Sequence, residues 1–273
     1  ADYVIPKPFD PRLITRIPVA VAEAAMKSGV ARRPIEDLAA YAEQLGALFN
    51  RSGFVMKPVL ERAKANPLKV AFAEGEELRV LRAVEAAVQE GICRPIVIGR
   101  RSTILKKIEE NNLSIKADGD FELIEPMNNP YYEACHRAYH ELRGRDGVDP
   151  QEAKIHLNTR PTVLAAMLVK LGYADTMVCG TVGRYDRHLR RVRSILGMQE
   201  GLSRPAAVSM VISPKGTVFI ADTHVHNNPN AQELAEITLA SVDMMQRLGI
   251  KPKVALLSQS NFGDHGELDS SQK

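Results

Sequence analysis

The sequence predicts an α/β fold with a largely parallel sheet, and three observations carry that prediction. From Leu68 onward, apolar runs of strand length, KVAFA and PIVIG, alternate with amphipathic stretches of helix length. The first strand, the helix and the second strand fit within about thirty residues, the spacing of a βαβ unit, whose two strands run parallel. A third run, TMVCG, leads straight into a segment rich in glycine and arginine, and ligand sites of open α/β sheets lie at the carboxyl ends of strands.

Residues 1–50 read as helix and loop. Pro6, Pro8 and Pro11 in ADYVIPKPFDPRLI fix φ and remove hydrogen-bond donors, which favours an extended segment. Pro18 is placed to open a short helix that runs to Ser28 and stops at Gly29. A second helix follows Pro34, with Leu38, Tyr41, Ala42, Leu45, Leu48 and Phe49 on one face. Residues 51–67 mix polar residues with glycine and proline and read as a connector with room for a helical stretch.

After KVAFA, Val80, Leu81, Val84, Ala87 and Val88 share the apolar face of a helix that Gly91 ends. After PIVIG, STILKKIEENN reads as the next helix. Thr159 is the expected cap of a helix with Pro161 in its first turn and Val163, Leu164, Met167 and Leu168 facing inward. AAVSMVIS and TVFIAD read as strands joined across SPKG, a hairpin turn. Asn230 and Glu233 have capping-box spacing at the head of a helix whose inner face carries Leu234, Ile237, Ser241, Met245 and Leu248. VALLS reads as a last strand before QSNFGDHGE.

The 273 residues, 45% hydrophobic, suffice for a large core and one to two domains. The net charge is only +3, so the chain as a whole is not built to coat nucleic acid. Cys93, Cys135 and Cys179 are odd in number and far apart, which yields neither a disulfide framework nor a CxxC metal pair, and a reducing cytoplasm is the simplest compartment. No apolar run approaches the roughly 18–20 residues of a membrane span, and no signal peptide is visible. The sequence starts at Ala1 and ends in SSQK, and it reads as a piece of a longer polypeptide.

The densest chemistry is CGTVGRYDRHLRRVR, residues 179–193, with Arg184, Arg187, Arg190, Arg191 and Arg193 behind Gly180 and Gly183. Glycines permit close backbone approach, the N–H groups that start a helix are unpaired, and arginine grips phosphate bidentately, so the segment suits an anion. The competing reading is that the arginines form ion pairs on a solvated face or at a subunit contact, with Asp186 as a local partner. Nucleic acid is a third reading, opposed by the lack of stacking aromatic residues among the arginines. Asp222, His224 and His226 resemble a metal triad in outline, against the commoner reading of loop histidines bonded locally. Glu74, Glu76 and Glu77 can be an acid/base pair or first-turn residues opposing a helix dipole. Cys179 is either a reactive thiol beside arginines or a buried structural one.

From KVAFAEGEELRVLRA through AQELAEITLASVDMMQRLGIKPKVALLSQSNFG, the chain resembles the phosphotransacetylase family of phosphate acetyl- and butyryltransferases. IPKPFDPRLI and SGVARRPI, in the first fifty residues, resemble the tail of the catalytic part of bacterial malic enzymes. Their succession in one chain resembles the large two-part NADP-dependent malic enzymes. The resemblance implies a malic-domain tail over 1–50, a linker over 51–67, and a three-layer phosphotransacetylase-like domain over 68–273 that is incomplete at its C-terminus. Arg190 falls at the arginine that in the family lies near the coenzyme A phosphates, and Arg143 in YHELRGRDG at the arginine of the family's YELR segment. Gly180 matches the family's glycine, with Arg184, Arg187 and Ser260 as further contacts. Where the family carries a histidine-serine-threonine run, Gly183-Arg184-Tyr185 stands, and Arg191 stands at the family's proline.

The implied parent converts malate to pyruvate, CO2 and NADPH, the oxaloacetate-decarboxylating reaction, with NADP and Mg or Mn held outside this piece. The implied role of the piece is acetyl-CoA sensing and homo-oligomer formation beside the malic catalytic domain of the same polypeptide. It would have no catalytic residues, metal or cofactor of its own, and no nucleic-acid or membrane partner. An active phosphate acetyltransferase and a purely structural assembly module are the alternatives.

Overall fold

The structure is a computed structural model, and it describes residues 12–49, 53–213 and 216–257. The chain divides into two compact units, residues 60–204 forming one and the residues before 60 and after 204 the other.

The first helix, α1, spans Arg12–Lys27 and packs on α2, Leu38–Phe49. Pro18 therefore lies inside α1 and does not open it. An early proline is a start signal only where packing sets no earlier one, and tertiary context overrides it here. The extended reading of residues 1–11 lies outside the described residues. The connector is mostly helical: α3 runs from Gly53 to Ala65 with Pro58 in its interior, and it crosses the division between the units.

In the 60–204 unit the chain continues with β1 (Leu68–Phe72), α4 (Leu78–Glu90), β2 (Cys93–Ile98), α5 (Arg101–Glu110) and β3 (Glu122–Ile124). Next come α6 (Tyr132–Arg143), a short 3-10 turn at Gly144–Asp146, α7 (Pro150–Thr159), α8 (Pro161–Lys170), β4 (Thr176–Val178) and α9 (Tyr185–Leu196). The strands form a four-stranded parallel sheet in the order β3-β2-β1-β4. Side chains alternate faces along a strand, and that alternation builds two cores. Ala71, Ala73, Ile96, Ile98 and Ile124 face a cluster with Tyr139, Leu157, Leu164, Met167 and Ile195 from α6 to α9. Phe72 and Val97 face the other way, against Val80, Leu81 and Val84 of α4 and Ile104 of α5. The result is a three-layer sandwich, as the sequence predicted.

One further boundary differs from the sequence reading. Arg160 is the N-cap of α8, while Thr159 ends α7 and turns its hydroxyl back to the Ile155 carbonyl at 2.6 Å. Such back-bonding competes with capping for a threonine at a helix end. The sheet also gains β3, whose three residues are too few to show a period.

In the other unit, β5 (Val208–Ser213) and β6 (Gly216–Ala221) pair antiparallel, and α10 (Ala231–Arg247) packs on β6. The Asn230 side chain accepts the Glu233 N–H at 2.9 Å and Glu233 returns the bond to the Asn230 N–H, which completes the capping box. Ile237 is buried on the inner face of α10. VALLS forms no strand over its described residues. Val254, Leu256 and Leu257 are exposed and pair with no strand among the described residues, and apolar character alone does not make a strand without a free neighbouring edge.

Candidate anion site at the sheet switch point

The chain steps outward from β1 to β2 and β3, then returns to place β4 on the opposite side of β1. The crevice at the carboxyl ends of β1 and β4 is therefore the topological switch point, where open α/β sheets bind ligands. Two loops meet there: residues 73–77 after β1 and residues 179–184 after β4.

The first loop is drawn tight against the sheet. Ala73 donates to the Val178 carbonyl at 3.0 Å and Gly75 to the Ile98 carbonyl at 3.0 Å. A Cβ on Gly75 would lie 2.7 Å from that same carbonyl oxygen, so no larger residue fits without moving the loop. Glu76 reaches sideways to hold Arg100 through two side-chain bonds of 2.9 and 2.7 Å, and this hydrogen-bonded pairing keeps its carboxyl below the usual range. Glu77 is the N-cap of α4, so the EGEE run is divided between a brace, a helix start and the partly buried Glu74.

Gly180 and Gly183 both have φ near +102°, a conformation that side-chain-bearing residues rarely adopt. The Gly180 N–H points at Glu74, with both carboxylate oxygens at 3.1 Å. His188, on the inner face of α9, latches the loop. Its Nε2 lies 2.7 Å from the Val182 carbonyl, which can only accept, so Nε2 carries a hydrogen. Its Nδ1 shares a 2.8 Å hydrogen bond with the Thr162 hydroxyl in the first turn of α8, and Glu74 stands 3.7 Å from the same nitrogen. Burial, with the Glu74 charge added, pushes the Cys179 thiol up to about 11. A thiol held protonated by burial and by a neighbouring carboxylate favours the structural reading over the reactive one.

Beyond the loop the charge is positive. Arg184 clasps Asp186 through Nε at 2.9 Å and Nη2 at 3.3 Å, and Arg190 reaches the same carboxylate at 3.4 Å. The Arg184 hydrogen bond is the first cause that keeps the Asp186 carboxyl below its ordinary range. Arg187 is exposed. Arg143, at the end of α6, bonds Asp146 at 3.0 Å, and its Nε is buried with no hydrogen-bond partner.

Two arginines that the sequence reading did not place among the contacts complete the cluster. Buried polar rings pin the helices together: Tyr139 on α6 meets His156 on α7 at 3.0 Å, and Thr162 on α8 meets His188 on α9. One helical turn beyond each ring comes an arginine, Arg143 after Tyr139, Arg160 after His156 and Arg191 after His188. Burial, then the like charges of Arg160 and Arg187, lower the Arg191 guanidinium from its ordinary value. Burial also lowers His156, with Arg160 next. Neither Arg160 nor Arg191 has a carboxylate partner among the described residues. A sequence signal existed: His156/Arg160 and Arg187/Arg191 are each spaced i, i+4.

Of the residues singled out from sequence, the structure brings Arg187 and Arg190 together on α9 with Arg184 at its N-cap, sets Arg143 with Arg160 and Arg191 in the electrostatic surroundings of Tyr139 and His156, and places Gly180 at the crevice with its N–H on Glu74. Ser260 lies outside the described residues. The Asp222 region is a self-contained loop. The Asp222 carboxylate accepts N–H bonds from Ala207 at 2.9 Å, His224 at 3.0 Å and His226 at 2.6 Å. Burial acts to raise its carboxyl, and these backbone donors outweigh it and hold the group below its usual value. Among the described residues no group of three or more His, Cys, Asp or Glu side chains is arranged to hold a metal, and no helix is long and apolar enough to cross a membrane.

Comparison with known proteins gives the family. Residues 54–273 match the family described as Phosphate acetyl/butaryl transferase. The crystal structure of a phosphotransacetylase from Streptococcus pyogenes superposes with a TM-score of 0.71 at 28% identity, over 79% of this chain and 64% of that one. Among curated proteins, an NADP-dependent malic enzyme of Haemophilus influenzae is 47% identical over 98% of this chain, which spans 35% of that enzyme's length. A phosphate acetyltransferase of Nitratidesulfovibrio vulgaris is 29% identical over 80% of this chain and 31% of its own length. With a match that covers most of its residues, the chain belongs to the phosphate acetyl/butaryl transferase family.

Proposed function

We propose that this chain is the phosphotransacetylase-like part of an NADP-dependent malic enzyme, and that it serves there as a non-catalytic sensor of acetyl-CoA and a contributor to a homo-oligomer. The parent reaction takes malate to pyruvate, CO2 and NADPH, with NADP and Mg or Mn bound in the malic catalytic domain of the same polypeptide. The carrying observation is the cluster of Arg143, Arg160, Arg187, Arg190 and Arg191 beside the switch point, in which three guanidiniums, those of Arg160, Arg187 and Arg191, have no carboxylate partner among the described residues. Crowded like charges are stabilised by a polyanion, and coenzyme A offers three phosphate groups to arginine forks.

The identity of 47% to a malic enzyme against 29% to a phosphate acetyltransferase supports the malic parent over an active transferase. An assembly module would instead pair these arginines with carboxylates of a second copy, and it predicts that Arg190→Ala changes oligomer size or nothing and never acetyl-CoA affinity.

The test is malate-dependent NADPH formation by the full-length polypeptide while acetyl-CoA is titrated, with and without Arg190→Ala. A rate that responds to acetyl-CoA, with its midpoint moved by the substitution, supports the sensor. No response at any concentration removes it.

A further inference from the structure

The site proposed above already contains anions of its own. Glu74 lies at the carboxyl end of β1 with its side chain 12% exposed, and both oxygens sit 3.1 Å from the Gly180 N–H. That N–H, on a glycine with positive φ at a strand end, is where a ligand's phosphate or carboxylate would gain a backbone donor. Apart from His188 at 3.7 Å, Glu74 has no cationic partner among the described residues. Asp186 repeats the pattern outside the crevice, where one carboxylate bridges Arg184 and Arg190, with its side chain 49% exposed. The donors expected to hold an incoming anion are thus held by carboxylates of the chain itself.

We propose that Glu74 and Asp186 are internal competitors that set the affinity of the site for phosphate-bearing ligands. A bound phosphate takes the place of Asp186 on Arg184 and Arg190, and it gains the Gly180 N–H only at the expense of Glu74. The two carboxylates differ in kind. Asp186 is exposed, so its competition is weak and screened by salt. Glu74 is enclosed, so its charge acts through lower dielectric and resists screening. The inference rests on the reading of the arginine cluster as an anion site.

The test measures acetyl-CoA affinity calorimetrically for the unmodified chain and for Glu74→Gln, Asp186→Asn and Arg190→Ala, at low salt and at high salt. Glutamine keeps the shape of Glu74 and still accepts the Gly180 N–H, so the loop stays braced; unchanged circular dichroism and melting temperature check this. Glu74→Gln is expected to tighten binding on the order of 10-fold at both salt concentrations. Asp186→Asn is expected to tighten it about 2- to 5-fold at low salt, with the gain gone at high salt. Arg190→Ala weakens it. If Arg190→Ala weakens binding while neither carboxylate substitution tightens it, the carboxylates brace the site and do not compete, and the proposal is overturned. Tightening by one substitution alone overturns it for the other residue. If Arg190→Ala also leaves affinity unchanged, the reading of the arginines as the ligand site is what fails.

Discussion

Replacing Arg191 with methionine separates an anion site from a structural ion-pair cluster, because the two readings predict opposite changes in stability. Methionine keeps the apolar stem packed against the helix and removes only the charged head. Arg191 faces like charge from Arg187, one turn back on α9, and from Arg160. A like-charge pair spaced i, i+4 is destabilising by about 0.2–0.5 kcal/mol, and Arg160 adds a repulsion of similar size, so removing the charge returns roughly 0.5 kcal/mol. For a unit of this size that raises the melting temperature by about 1–2 °C. A charge-assisted hydrogen bond to a phosphate is worth about 1.5–3 kcal/mol, so affinity for acetyl-CoA should fall roughly 10- to 150-fold. The assays are a thermal melt of the ligand-free chain and a calorimetric acetyl-CoA titration. A melting temperature that drops by several degrees, with affinity unchanged, would refute the reasoning and make Arg191 a structural residue.

Leu164 is fully buried in the core between the sheet and α6 to α9, so Leu164→Ala should cost about 2–5 kcal/mol in denaturant unfolding, depending on how far the cavity relaxes. His156 supplies a pH dependence. Its folded-state pKa is held below the ordinary value, by burial first, so the unfolded chain takes up the proton sooner as pH falls. Its contribution is fully present above a pH of about 6.5 and is lost as the pH drops from there through the folded value. Melting temperatures measured from pH 7.5 to pH 5 should fall, and His156→Gln should flatten that part of the slope. An equal slope in the variant would assign the pH dependence to other groups.

The βαβ grammar was legible because strand-length apolar runs and amphipathic helices differ in period, and KVAFA, PIVIG and TMVCG all became strands of one parallel sheet. The capping box at Asn230 was legible because capping chemistry is local. Pro18 misled because a proline signals a helix start only when nothing packed on the helix extends it upstream. VALLS misled because a strand requires a neighbour, and composition cannot name one. The site was half legible. Arginines adjacent in sequence on α9 were visible, whereas Arg160 joined them only through the long-range pinning of Thr162 to His188 and of Tyr139 to His156. The commitment of Gly180 to Glu74 spans β1 to β4 and has no local signature.

Where a phosphate-bearing ligand binds is measured most directly by a crystal structure of the chain with saturating acetyl-CoA. Phosphate oxygens are expected within hydrogen-bonding distance of Arg190 and of at least one of Arg143, Arg160 and Arg191, with Asp186 released from Arg190. Acetyl-CoA bound elsewhere, with the arginine cluster unchanged and Asp186 still on Arg184 and Arg190, would contradict the anion-site reading.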